Sequence, residues 1–283
     1  MAPVYKIAVI QLHPKPLNPE ANFLKASSFI ASAASQGAHL AVLPDPRAPT
    51  QHLHRPRHHR RIPPPSSSPS SSSANPDNND DHPTLLNKTH FISPTGSILH
   101  SYTKKNLWHP ERAHLTSSSH DAHESFDTPL GKVGLLICWD LAFPEAFREL
   151  IADGAKIIII PTFWTLSDCN EYGLRKNPMS EDLFLESMVT ARAYENTCCV
   201  VFVNAGAPVG GRDKGTYAGM SRVALPFVGA LGEETKGSRE EGMSVVEVDM
   251  EMLEQAEANY GVRGDLAKEG WHYTYRHQGK GRL

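Results

Sequence analysis

Apolar positions along this chain recur at two spacings, and their alternation predicts a layered α/β fold. Residues 5–11 are an apolar, β-branched run of strand length. Asn18 then offers an N-cap with Pro19 at the first helical position, and Phe23, Ala26, Phe29, Ile30 and Ala33 recur at helical spacing until Gly37. A second run, 39–43, ends at Pro44 and Asp45. The chain therefore opens β-α-β, the unit of a sheet covered by helices.

The same periods continue further on. Short runs at 89–92 and 98–102, joined by a turn at Pro94 and Gly96, predict a hairpin that delivers Lys104 and Lys105. The run 133–137 stops at Cys138 and Trp139, after which Pro144 and Glu145 open an amphipathic helix to about residue 151. Residues 157–160 are all isoleucine, as in a strand buried on both faces, and lead to Phe163 and Trp164. A helix over 181–195, with Leu183, Phe184, Met188 and Ala191 on its apolar face, precedes strands at 198–203, 221–225 and 243–248. No internal repeat interrupts this interleaving.

One stretch breaks the pattern. Residues 46–83 hold nine Pro and seven Ser, with Leu53 and Ile62 as their large aliphatics. Such a segment cannot bury enough surface to offset its ordering entropy, so a disordered insert is expected there. In its first half His52, His54, His58 and His59 lack the cysteine partners or interleaved aromatics that a metal or RNA site would show. The expected organisation is a single domain over 1–283 with its core at about 5–250, this insert, and a C-terminal extension from 250.

Composition narrows the function classes. The 283 residues are 40% hydrophobic and carry a formal net charge of -3, so no global field draws nucleic acid or an anionic membrane. No run approaches the roughly 18 apolar residues of a membrane span, and the N-terminus enters a strand without a signal-like core. The cysteines at 138, 169, 198 and 199 have no CxxC spacing, which suits a reducing compartment. A soluble cytoplasmic protein is expected.

The candidate chemistry lies at element ends. Cys138 stands at a strand-to-helix turn, where a side chain is pushed out of the sheet and a helix N-terminus would lower a thiol pKa. Asp45 can take a thiol proton, Lys104 can stabilise an oxyanion, and the thiolate can attack a carbonyl or nitrile carbon. Glu111, seven residues past Lys104, can orient the lysine or the substrate. Asp140 and Glu145 read as turn and helix-cap groups, Arg192 and Glu195 as an internal ion pair, and His109 and His114 as loop residues.

These stretches resemble the nitrilase superfamily of carbon–nitrogen hydrolases. The resemblance is carried by LAVLPDP around Asp45, YTKKNLWHPER around Lys104 and GLLICWDLAFPE around Cys138, in the family's order. IIIIPTFW and ARAYENTCCVVFVNAG match as well, and the likeness covers most of 5–248. It implies a four-layer α-β-β-α sandwich, commonly a homodimer or higher homo-oligomer, with Cys138 as nucleophile, Lys104 as the lysine and Asp45 where the family has glutamate. Glu111 falls on a second family glutamate, the Trp139 backbone N–H would complete the oxyanion site, and Phe163 and Trp164 would line the substrate pocket. No metal or organic cofactor is implied. The expected activity is hydrolysis of a small-molecule amide through a thioester. Nitrile hydrolysis, N-acyl transfer, or an impaired member acting by binding remain open, and the shorter Asp45 points to weak turnover.

Overall fold

The computed structural model describes residues 2–45, 84–211 and 216–268. The insert expected at 46–83 and its histidines lie outside these. Strand β1 (Val4–Gln11) leads through helix α1 (Pro19–Ser35) to the parallel strand β2 (Leu40–Val42). The Asn18 side chain accepts from the Ala21 N–H at 3.0 Å, the cap that the sequence predicts. A hairpin of β3 (Lys88–Ile92) and β4 (Ile98–Thr103) follows. Then come β5 (Phe126–Thr128), β6 (Gly131–Leu135), α2 (Pro144–Ala152) and β7 (Ile157–Pro161). Helices α3 (Glu171–Lys176) and α4 (Ser180–Glu195) lead to β8 (Cys199–Val203), β9 (Arg222–Leu225), β10 (Gly229–Leu231) and β11 (Gly242–Asp249). Helices α5 (Met250–Tyr260) and α6 (Val262–Leu266) close the described chain, and Met250, Leu253 and Ala256 anchor α5 in the interior.

Two stacked sheets result. One has the order β11-β1-β2, the other β10-β9-β8-β7-β6-β5, and β1 lies against β8 across the interface. With helices outside both sheets, this is the expected α-β-β-α sandwich. Strands β6, β7 and β8 are parallel, so their C-terminal ends open on one side of the molecule. Every residue of β7 is buried, as its isoleucine run requires.

Two expected helix faces are corrected. On α1 only Ala33 is buried, while Phe23 and Ile30 stand 71% and 43% exposed. Periodicity identifies an apolar side but not whether another element covers it. On α4 the buried residues are Leu185, Val189, Arg192 and Ala193, and Leu183 is exposed. The helix lies over β8, β9 and β10, which selects that stripe, and Phe184 turns instead toward Trp139 and Trp164. The sequence reading also missed β5, β10 and α3, each too short to show a period.

Candidate active site

Cys138 begins a single 3-10 turn, Cys138–Ala142, three residues after the end of β6. Its φ is +48°, a left-handed value that costs a non-glycine residue about 1–2 kcal/mol. The Asp140 N–H closes the first ring of the turn on the Ile137 carbonyl at 3.0 Å, so the turn itself supplies no acceptor for the Trp139 N–H that precedes it. The Cys138 thiol donates to the Phe163 carbonyl at 3.8 Å, beyond the end of β7.

Lys104 follows β4 and its side chain has no exposure to solvent. Its Nζ donates to Glu111 Oε2 at 2.6 Å. The same carboxylate oxygen accepts the Trp108 N–H at 2.9 Å, so Glu111 is held by the 3-10 segment His109–Ala113 that it caps. Burial works against the ammonium; the negative charge Cys138 carries once ionised, and the Glu111 carboxylate with its hydrogen bond, work the other way and hold Lys104 above the usual lysine range. The lysine is therefore a buried cation.

Asp45 is buried at the end of the β2 segment. Its N–H donates to the Thr162 carbonyl at 3.2 Å, linking it to the segment that carries Phe163. Asn87 Nδ2 donates to Asp45 Oδ2 at 3.1 Å, and the Asn87 carbonyl accepts the Lys104 N–H at 2.8 Å. One residue thus joins the acid to the lysine. Sequence reasoning did not single out Asn87, and its place just before the hairpin is a weak signal at best.

The thiol environment corrects one expectation. Burial pushes the Cys138 thiol up to about 12; Lys104 opposes this, and Asp45, Glu111 and Asp168 add to it. Helix α2 starts only at Pro144, six residues past Cys138, so the thiol does not sit in its first turn. Burial thus favours the neutral thiol over a preformed thiolate.

Aromatic rings wall the site. Trp139 meets Trp108 edge-on with centroids 4.4 Å apart and lies 5.6 Å from Trp164. Trp164 is buried, its N–H donating to Asn204 Oδ1 at 2.8 Å and its Nε1 to Glu181 Oε2 at 2.5 Å. Phe163 points elsewhere, toward Tyr217 with centroids 5.8 Å apart. Trp108, Asn204 and Glu181 were not among the expected site residues. Among the described residues no cluster of His, Cys, Asp or Glu could hold a metal ion.

A family model described as carbon-nitrogen hydrolase matches residues 70–258. The chain belongs to the carbon-nitrogen hydrolase family. Within that match this carbon-nitrogen hydrolase carries Lys104, Glu111 and Cys138, whereas Asp45 lies before it. It is 32% identical over 179 residues to a probable nitrilase of Schizosaccharomyces pombe, covering 62% of this chain and 57% of that one. It is 33% identical over 183 residues to an (R)-stereoselective amidase of Pseudomonas sp, covering 63% and 58%. The chain thus spans less than two thirds of the length of either relative. The crystal structure of Saccharomyces cerevisiae Nit3, a member of branch 10 of the nitrilase superfamily, shares its fold with a TM-score of 0.67 and 20% identity, over 91% of this chain and 94% of that one.

Proposed function

We propose that this carbon-nitrogen hydrolase is an amidase that cleaves a small carboxamide through a thioester on Cys138. The observation that carries this reading is the buried Lys104 ammonium, held at 2.6 Å by Glu111 and electrostatically coupled to a cysteine in a left-handed turn. A buried cation fixed by a neighbouring acid is suited to an oxyanion that develops at the adjacent nucleophile. The amidase relative supports the substrate class.

Asp45 accepts the thiol proton as the sulfur attacks the amide carbon, and the carbonyl oxygen becomes an oxyanion facing Lys104 Nζ and the Trp139 N–H. Collapse breaks the C–N bond, and the proton held by Asp45 leaves with the amine as ammonia. Water, deprotonated by the same carboxylate, then attacks the thioester and releases the acid with the cysteine restored. Glu111 keeps the lysine in place, Trp139 and Trp164 bound the space beside the acyl group, and Phe163 acts through its carbonyl on the resting thiol. The same residues would serve a nitrile, by way of a thioimidate, or an acceptor amine in place of water. The one-carbon-shorter Asp45, outside the family match, favours a second reading in which turnover is slow and binding dominates.

The test is intact mass of the protein after incubation with a panel of small amides, followed by ammonia release. Acyl adducts on Cys138 that decay as ammonia appears are expected. Ammonia release unchanged in Cys138→Ala would overturn the mechanism. Adducts that form but never decay would favour the impaired reading.

A further inference from the structure

Asp140 has no solvent exposure and stands two residues beyond Cys138. Its carboxylate accepts four hydrogen bonds, each of 2.9 Å: Tyr102 Oη–H and the Ile137 N–H on Oδ2, and the Asn106 N–H and Nδ2 on Oδ1. These donors come from two separate segments. Tyr102 and Asn106 flank Lys104, two residues to either side, and Ile137 immediately precedes Cys138. Tyr102 Oη in turn accepts the Lys105 N–H at 3.1 Å, which ties the lysine segment to the same group a further time.

A turn cap would need only the Ile137 bond, so the remaining three call for another explanation. A buried carboxylate is tolerated only when its lone pairs are filled, and here they are filled mainly by the segment on the far side of the site. Burial raises the Asp140 pKa, and its hydrogen bonds, first that from Ile137, oppose the rise without cancelling it. The four partners all present hydrogens, and the ionised form is the one that can accept them all.

We propose that Asp140 is a positioning residue for the cysteine chemistry: it locks the Lys104 segment onto the Cys138 turn and so sets where the ammonium stands relative to the sulfur. This rests on Cys138 and Lys104 acting as read above. A carboxamide of the same shape cannot do the work, because its NH2 must face either the Asn106 pair or the Tyr102 and Ile137 pair, donor against donor. Misplacement of reacting groups by near 1 Å commonly costs on the order of 10²-fold.

The test compares parent, Asp140→Asn and Tyr102→Phe at matched folded concentration, with two readouts. The first is the rate at which iodoacetamide labels Cys138 relative to Cys169, followed by peptide mass. The second is kcat and KM for the best amide of the panel. Asp140→Asn is expected to slow labelling of Cys138 about tenfold and to lower kcat by about 10–100-fold, with KM within about twofold. Tyr102→Phe, which removes one of the four donors, is expected to lose about three- to tenfold in both rates, and it carries the test if Asp140→Asn does not fold. A purely structural role would lower the folded fraction and leave both rates per folded molecule unchanged, which overturns the proposal. A parent that forms no acyl adduct on Cys138 and releases no ammonia from any amide of the panel sinks the reading of the site and this proposal with it. A reactive parental Cys138 that neither variant alters sinks this proposal alone.

Discussion

Asn87 donates its side-chain amide to Asp45 at 3.1 Å while its backbone carbonyl holds the Lys104 N–H at 2.8 Å. The shorter acid is therefore fixed from both ends, by Asn87 at the carboxylate and by Thr162 at the backbone. Asn87→Ala removes the first restraint and keeps the carbonyl that anchors the lysine. Amide turnover should fall about tenfold with Lys104 in place. A parental kcat in Asn87→Ala would show that Asp45 needs no such support.

The length of Asp45 gives a second expectation. One methylene fewer than glutamate shortens the reach of the carboxylate by about 1.5 Å. A base must come within hydrogen-bond distance of the proton it takes. Asp45→Glu should raise turnover at matched folded concentration. A loss would mean that the site has settled around the shorter acid.

The two adjacent lysines make the register testable. Lys104 is fully buried against Glu111, whereas Lys105 pairs with Glu149 at 3.6 Å in a partly exposed position. Lys104→Ala should lower kcat by about 10²-fold or more, as loss of an oxyanion donor commonly does. Lys105→Ala should stay near the parental rate. The reverse outcome in steady-state kinetics would reassign the lysine.

His123 predicts an acid limit to stability. It is 4% exposed, stacks on Tyr102 at 5.6 Å, and its Nδ1 has no hydrogen-bond partner among the described residues. Burial, reinforced by Lys105, lowers its pKa from 6.5 to about 4. Between those values the unfolded chain binds the proton and the folded one does not, so stability falls as pH drops through that window. His123→Phe keeps a ring on Tyr102 and should flatten the decline of Tm between about pH 6.5 and pH 4. An unchanged slope would rule His123 out as its source.

Arg192 secures the far end of the Cys138 turn. It is buried, donates Nε to the Leu141 carbonyl at 3.2 Å and Nη1 to Glu195 at 2.7 Å, and lies 5.4 Å from the Phe147 ring. Arg192→Ala leaves the carbonyls of Leu141 and Ala142 without this donor and should cost about 1–3 kcal/mol in denaturant unfolding. A change below about 1 kcal/mol would place the weight of this turn elsewhere.

The chain's own pattern determined the strands and helices with strong periods, the cap at Asn18 and the turn that carries Cys138. These depend on neighbours a few residues apart, which a sequence displays directly. It also put Glu111 seven residues past Lys104, where it could orient the lysine or the substrate, and the fold set it on the lysine. Only the tertiary structure decided the rest. Asp140 reads as a turn group until Tyr102 and Asn106 arrive from a segment more than thirty residues away. The thiol reads as activated by a helix until burial proves the larger effect and raises its pKa to about 12. The buried stripe of α4 is chosen by the sheet beneath it, not by the helix. In each case the deciding quantity is desolvation or a hydrogen bond between distant segments, which exists only once the chain has folded.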